Sequence, residues 1–268
     1  MTIPYPRIPP EIFHVGPLAV RWYGVMYLIG YIVGTAVAKW RVRRGLVPFS
    51  ESAVDSLVAY LVVGMLLGAR LFYVFVYDRA HYLANPLDIP AIWHGGLSFH
   101  GALLGMTIAC VVFARQHRLP FWSVADTVAL AGPPGLFFGR IGNFINGELY
   151  GRATTVPWAM VFPTDPLRVP RHPSQLYEAL TEGVILFLAL LTLERRAVRG
   201  GWYRDGLVSG GFLVGYGLLR YLVEFTRQPD AQLGFVVGPF SMGQVLSSLM
   251  IVTGVAVIAV TYRSHSFR

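Results

Sequence analysis

The sequence predicts an all-α, polytopic membrane protein with about seven transmembrane helices. Hydrophobic residues make up 54% of the 268 residues and charged residues only 13%, whereas soluble proteins carry about 25% charged residues. The mean hydropathy is +0.53. Apolar stretches of about 20 residues, the length that crosses a bilayer, recur along the whole chain. A soluble fold of this size could not bury so much apolar surface, so that class is excluded.

Seven apolar segments account for the predicted helices, in chain order. The fourth is the least regular, because "AGPPGLFFGR" contains two prolines and two glycines, and we expect a broken or kinked helix there. The segments are Leu18–Ala38, Val54–Tyr77, Ile92–Ala114, Val124–Gly139, Ser174–Leu193, Leu207–Phe225 and Phe240–Tyr262.

The basic residues between these segments predict the orientation in the membrane. Twelve flank one side: Lys39, Arg41, Arg43, Arg44, Arg115, Arg118, Arg195, Arg196, Arg199, Arg204, Arg263 and Arg268. Six flank the other: Arg7, Arg79, Arg152, Arg168, Arg171 and Arg227. Because cytoplasmic loops are enriched in basic residues, the N-terminus is predicted outside and the C-terminus in the cytoplasm. Residues 1–268 then form one membrane domain, with a segment at about 140–173 on the outer, periplasmic side.

Four arginines lie within or at the ends of the predicted spans. A charge inside a bilayer costs roughly 2.5–3.5 kcal/mol on insertion scales and usually faces the protein interior or a wet cavity. Together they predict a polar cavity that binds an anion. These residues are Arg21, Arg70, Arg140 and Arg220.

The stretch "FFGRIGNFINGELYGR" places polar groups at the end of the fourth span. Arg140 and Asn143 are three residues apart and share a helix face, and glycine then ends the helix before Glu148. We expect an arginine, two amides and a carboxylate to lie close together. The alternative is a capped helix end with snorkelling arginines, and for Arg152 that alternative is equally well supported.

The sixth segment carries "GYGLLRYLVEFTR", with Tyr216, Arg220 and Glu224 at i, i+4 and i+8 and Arg227 one turn later. This spacing puts the four side chains on one helix face. The planar guanidinium of Arg220 suits a phosphate group, which it can bind through two hydrogen bonds. A buried Arg220–Glu224 ion pair that only fixes helix packing is the alternative.

Two further groups are candidates on weaker grounds. His94 and His100, in "WHGGLSFHGALLG", are six residues apart, so a metal site built on this pair is poorly supported. His100 is a candidate general base or a hydrogen-bonded packing residue. Tyr23 and Tyr27, with Arg21 and Trp22, fit an interfacial aromatic belt better than they fit a site. We expect no metal and no cofactor.

The motifs as a set resemble one known family. "GRIGNFINGELYG", with "RWYGVMYLIG", "HGGLSFHGALLG", "RHPSQLYEAL" and "GYGLLRYLVEF" in the same order, is similar to the bacterial prolipoprotein diacylglyceryl transferases over nearly the whole chain. Tyr150 stands where many members have tryptophan. The family is located in the bacterial inner membrane with seven spans. Its members transfer the diacylglyceryl group of phosphatidylglycerol to the lipobox cysteine of a prolipoprotein signal peptide, forming a thioether and releasing glycerol phosphate.

The resemblance also implies roles for single residues. Arg140 matches an arginine linked to phosphatidylglycerol, Arg220 a second essential arginine, and His100 an important histidine that we assign as the base for the thiol. The residues expected to shape the headgroup site are Tyr23, Asn143, Glu148, Gly151, Tyr216 and Glu224.

Two other functions remain open from the residues themselves. An anion or lipid transporter with an arginine-lined cavity would need a second polar cluster near the cytoplasmic face. A membrane-embedded assembly factor would not need these polar groups. The partners expected are membrane lipids and a signal peptide, and no nucleic acid. Arg70 has no role in any of these interpretations.

Overall fold

The computed structural model describes residues 2–6, 8–16, 18–228, 235–237 and 240–263. The fold is mostly helical. Short 3₁₀ turns at Pro86–Asp88 and Ile92–His94 precede the third long helix. The helices are α1 (Trp22–Arg43), α2 (Glu51–Tyr77), α3 (Arg79–Ala84), α4 (Phe99–Gln116), α5 (Phe121–Asn146), α6 (Ser174–Arg199), α7 (Leu207–Val223) and α8 (Met242–Arg263).

The sequence predicted an all-α fold, and the structure has two small antiparallel hairpins in addition to the helices. The first pairs β1 (Glu11–Val15) with β2 (Leu18–Arg21), and the second pairs β3 (Phe235–Val237) with β4 (Phe240–Ser241). The first long helix therefore begins at Trp22, four residues later than the predicted start at Leu18, because Leu18–Arg21 pair as a strand.

Five helices, α1, α2, α4, α6 and α8, are long and apolar enough to cross a membrane, and α7 is a shorter apolar helix of 17 residues. The chain is thus a polytopic membrane protein. The count of seven spans and the orientation of the termini stay predictions. Arg7 and Arg268, which entered the charge count, lie outside the described residues, as does the side chain of His94.

The chain divides into two compact units, and the single domain stays a prediction. One unit comprises Met1–Val37 with Asp126–Arg268, and the other Ala38–Ala125. In the second unit, α2 and α4 approach closely through glycines: a Cβ atom on Gly64 would lie 2.6 Å from the carbonyl oxygen of Gly105. Small residues spaced four apart permit such contact between membrane helices.

The fourth segment was predicted to be a broken or kinked helix; it does not break but forms one continuous helix, α5, through Pro133 and Pro134, and a kink there stays a prediction. Two prolines remove only two main-chain donors, and neighbouring helices can support a proline inside a membrane helix. Here α1 packs closely against this stretch, since a Cβ on Gly30 would lie 3.0 Å from the Cα of Gly135. Close packing therefore keeps the helix intact up to its polar end.

Candidate active site

The C-terminal end of α5 gathers two amides around one carboxylate. The helix ends at Asn146, and Gly147 adopts a left-handed conformation with φ of 69°, which glycine accepts at little cost. The chain turns back so that Glu148 Oε1 accepts from Asn143 Nδ2 at 2.8 Å and from Asn146 Nδ2 at 3.2 Å. Gln175 Nε2 donates to the carbonyl oxygen of Glu148 at 2.6 Å. The amides and the carboxylate predicted from the sequence are together, but Arg140 pairs elsewhere.

Arg140 belongs to a closed ring of alternating positive and negative side chains, which we call the charged ring. Its Nη2 lies 2.7 Å from Glu178 Oε2. Arg227 Nη1 donates to the other oxygen of Glu178 at 2.6 Å, and its Nε lies 3.3 Å from Glu224 Oε2. In order around the ring, the members are Arg140, Glu178, Arg227, Glu224, Arg220 and Glu182.

Arg220 and Glu182 complete the charged ring with one short and two longer contacts. Arg220 Nη1 lies 2.6 Å from Glu224 Oε2, the i, i+4 pair predicted from the sequence. Glu182 is 3.9 Å from Arg220 Nε and 3.7 Å from Arg140 Nη2. The side chain of Glu182 is fully buried, and the side chains of Arg220 and Arg140 are 15% and 20% exposed. Charges this deep in a membrane protein require partners of opposite charge, and Glu182, Arg140 and Arg220 each have two such partners.

Sequence reasoning missed both glutamates of α6. Glu178 and Glu182 are four residues apart within the apolar stretch "SQLYEALTEGVILFLALL", so the cost argument applied to the arginines applies to them as well. The residues Ala179–Ile185 form a π-helical segment inside α6. Such segments are rare and frequent at functional sites, and this one carries Glu182.

The segment between α5 and α6 helps to place Arg227. Gly151 forms a β-bridge with Arg227, and a Cβ on Gly151 would lie 2.8 Å from His172 Cβ. Glycine at this position therefore permits close main-chain contact. Arg152 Nε donates to the carbonyl oxygen of Arg227 at 2.7 Å, so Arg152 supports the main chain.

A buried ion pair closes the same segment outside the helices. Arg171 donates from Nε and Nη2 to the two carboxylate oxygens of Asp165 at 2.6 and 3.0 Å. This hydrogen bonding holds the pKa of Asp165 below its usual range. Burial lowers the pKa of the neighbouring His172, which favours its neutral form. The segment therefore has a fixed structure of its own.

The two predicted tyrosines adjoin these groups. Tyr216 stacks on Phe212 with ring centroids 5.6 Å apart and lies near Glu182 and Arg140. Tyr23 lies against α5, since a Cβ on Gly142 would be 3.0 Å from Tyr23 Cδ2. Tyr23 is therefore close to the part of α5 that carries Asn143, and its role in the site stays a prediction.

His100 lies in the other unit, in the first turn of α4. Its side chain is exposed, and its Nδ1 is 3.4 Å from the hydroxyl oxygen of Tyr77. Its assignment as a base stays a prediction.

The anion-binding expectation for four arginines does not extend to Arg21 and Arg70. Arg21 lies in β2, is 62% exposed and pairs with Glu11 at 2.9 Å. Arg70 is 5% exposed and donates to main-chain carbonyl groups. Its acceptors are the carbonyl oxygens of Asp88, Ile89, Ala91, Gly95 and Gly96. Arg70 therefore stabilises local structure, while Arg21 makes only an exposed ion pair, which contributes little.

Comparisons with known proteins agree with the resemblance seen in the motifs. Residues 10–260 match the family model for prolipoprotein diacylglyceryl transferase. A phosphatidylglycerol–prolipoprotein diacylglyceryl transferase of Rhodospirillum rubrum is 49% identical over 266 residues, 98% of this chain and 96% of the relative. Relatives of the same name from Bordetella bronchiseptica, 47% identical over 98% of both chains, and Nitratidesulfovibrio vulgaris, 49% identical over 93% of both, also match.

These matches favour the transferase over the transporter and the assembly factor. They span both units and every residue of the charged ring. The chain therefore belongs to the prolipoprotein diacylglyceryl transferase family and is an enzyme that transfers a diacylglyceryl group in lipoprotein biosynthesis.

Proposed function

We propose that the charged ring is the phosphate-binding part of the active site, where Arg140 binds the headgroup of phosphatidylglycerol and Arg220 binds the phosphate as it leaves. The observation that carries this proposal is the shared position of the two guanidiniums on either side of Glu182. Two planar donors facing one point can bind one phosphate group through several charged hydrogen bonds.

The reaction needs a thiolate and a stabilised leaving group. The lipobox cysteine of the prolipoprotein, with an ordinary pKa near 8.5, loses its proton and attacks the glyceryl carbon bonded to the phosphate ester oxygen. The C–S bond forms as the C–O bond breaks, and glycerol phosphate leaves with the electron pair. Arginines held in a low-dielectric site stabilise the charge that develops on that oxygen.

The other site residues predicted from the sequence support this reaction in the proposal. His100 accepts the thiol proton. Asn143 and Glu148, held together by their hydrogen bond, shape the headgroup site with Tyr23, and Gly151 places the chain beside Arg227. Tyr216 and Glu224 orient Arg140 and Arg220.

The site is assigned to the periplasmic side of the inner membrane. Helices α5 and α7 add to the five candidate spans and give seven, with the N-terminus outside and the C-terminus in the cytoplasm, as the basic residues predict. The lipid substrate then enters sideways from the bilayer, and the signal peptide arrives from the export route.

The test uses the purified chain with phosphatidylglycerol and a lipobox peptide, and mass spectrometry of the peptide cysteine. Arg140→Ala and Arg220→Ala should each lower adduct formation by about 100-fold or more, the usual cost of losing one transition-state donor. Arg152→Ala is the matched control, since that side chain donates to the main chain of Arg227 and not to a carboxylate of the charged ring within the described residues, and it should keep near-normal turnover. Near-normal turnover in either of the first two variants would remove that arginine from the phosphate site.

His100→Gln tests the base in the same assay. If His100 accepts the thiol proton, turnover should fall and recover at a pH above the pKa of the thiol, where the peptide is already a thiolate. An unchanged rate with an unchanged pH profile would assign the proton to another group.

A further inference from the structure

Glu182 is held differently from the other carboxylates of the charged ring. Within the described residues, neither of its side-chain oxygens accepts a hydrogen bond, and the side chain is fully buried. Its cations lie at 3.7 and 3.9 Å, beyond hydrogen-bond distance. Buried carboxylates are normally hydrogen-bonded, because burial without donors is costly.

Another buried carboxylate of the same unit shows what a permanently held group looks like. Asp126 is also fully buried and accepts from Tyr203 Oη, the main-chain nitrogens of Gly206 and Ser209, and Ser209 Oγ, at 2.6–2.9 Å. Asp126, which lies in α5, is thus fixed by four donors at and just before the start of α7. Glu182 has no such attachment and is therefore the carboxylate that can exchange.

The other two glutamates of the charged ring are also fixed more firmly. Glu178 makes contacts of 2.6 and 2.7 Å with two arginines. Glu224 lies 2.6 Å from Arg220 and accepts from Ser241 Oγ at 2.8 Å. Glu182 alone of the three has only long contacts, and these are with Arg140 and Arg220.

The charge of the ring sets a condition on anion binding. Three guanidiniums face three carboxylates, so the charges of the ring cancel when all six side chains are ionised. A phosphate diester adds one negative charge, and like charges at close range in a low-dielectric site are strongly unfavourable. The charged and titratable groups acting on Glu182 are Arg140, Arg220, Arg227, Glu178 and Tyr216.

We propose that Glu182 is an exchangeable counter-ion: it neutralises Arg140 and Arg220 in the empty site, and the phosphate of the lipid headgroup takes over both guanidiniums when it binds. This inference rests on the proposed function of the charged ring. Glu182 is then a positioning residue. It keeps the two arginines apart and oriented toward one point, and it competes with the phosphate for them.

Glu182→Gln tests the competition, because glutamine keeps the shape and removes the charge. We expect the KM for phosphatidylglycerol to fall about tenfold and free glycerol phosphate to inhibit about tenfold more strongly, a modest change on the affinity scale, while kcat does not rise. Tighter binding of substrate without faster turnover is the signature of an added ground-state interaction. Glu182→Asp keeps the charge but draws it back by one methylene group, and its KM should lie between those of the wild type and the glutamine variant.

Glu178→Gln is the matched control on the same helix. It removes the charge that binds Arg140 and Arg227 at short range, so KM should rise and the melting temperature should fall. A KM for Glu182→Gln that is unchanged or raised, with Arg140→Ala inactive, would overturn the counter-ion role and leave the phosphate site standing. Full activity of Arg140→Ala and Arg220→Ala would overturn both.

Discussion

The two units of the molecule each hold largely buried arginines in apolar helices, but they satisfy them in different ways. In the unit of residues 38–125, Arg70 donates to five main-chain carbonyl oxygens at 2.7–3.4 Å, and its guanidinium lies 4.9 Å from the ring of Tyr82. In the other unit, Arg140 and Arg220 face carboxylates. The first arrangement fixes one loop, and the second holds cations against anions.

The kind of partner separates a structural arginine from a candidate ligand-binding arginine. Carbonyl groups of a folded loop cannot leave without unfolding that loop, and they carry no full charge that a substrate could replace. A carboxylate on a side chain can be replaced by another anion, such as a phosphate, with little loss of charge balance. On this criterion Arg70 is structural, while Arg140 and Arg220 are available for exchange.

The largest effect is expected from Arg70→Ala. The substitution leaves five main-chain carbonyl groups without their donor, one of them fully buried and four partly buried, and an unsatisfied buried group costs about 1–3 kcal/mol. With some rearrangement of the loop, we expect a loss of about 3–5 kcal/mol in the free energy of unfolding, similar to that of breaking a buried ion pair. The melting temperature of the purified protein measures this loss.

Arg79→Ala, which alters an exposed arginine near the start of α3, is the control for Arg70→Ala. The two variants should differ by many degrees in melting temperature. Equal melting temperatures would show that the five hydrogen bonds contribute little, and the contrast between the two kinds of arginine would fail.

The sequence predicted the polar face of the site better than it predicted the partners within that face. Arg220 and Glu224 were paired correctly from their i, i+4 spacing, because both lie on one helix. Arg140 was expected beside Glu148 because they are close in sequence, but Arg140 pairs with α6. Contacts between helices depend on packing and on register along the membrane, which spacing in one segment cannot provide.

The fold shows the same division between local and long-range information. Apolar length was enough to find the long helices, whereas the orientation that the basic residues predict stays a prediction. The hairpin of Glu11–Val15 with Leu18–Arg21 was missed because its second strand reads as the start of an apolar span. The continuity of α5 through Pro133 and Pro134 was missed because it depends on the close approach of α1.

Arg220→Lys is expected to have the second-largest effect, and on activity instead of stability. Lysine keeps the positive charge opposite Glu224 and Glu182, so the melting temperature should change little. It cannot reproduce the planar fork that donates two hydrogen bonds to a phosphate. We expect kcat/KM to fall about 100-fold, equivalent to about 2.7 kcal/mol of transition-state stabilisation.

Arg70→Lys sharpens this second test, because the same exchange in the other unit should act in the opposite way. It replaces a donor to five carbonyls by an ammonium group with three donors, so stability should fall while the enzyme that remains folded keeps its kcat/KM. A large loss of stability with normal kcat/KM in Arg220→Lys would place Arg220 with Arg70 as a structural residue.

The smallest effect is expected at the ion pair outside the helices, and it depends on pH. The pKa of Asp165 is lowered in the folded state by Arg171, so its contribution to stability is present above the unfolded pKa of about 3.9 and is lost as the pH falls through the lower folded value. At pH 7, Asp165→Asn should cost about 2 kcal/mol, the usual worth of hydrogen bonds to a charged group. The melting temperatures of the wild type and the variant should begin to approach each other below about pH 4 and should converge below the folded pKa of Asp165. Glu11→Gln is the control, because Arg21 lowers the pKa of Glu11 as well, but that pair is exposed and should contribute little at any pH. A difference for Asp165→Asn that persists undiminished in acid would mean that shape and packing at this position, and not the charge of Asp165, stabilise the segment.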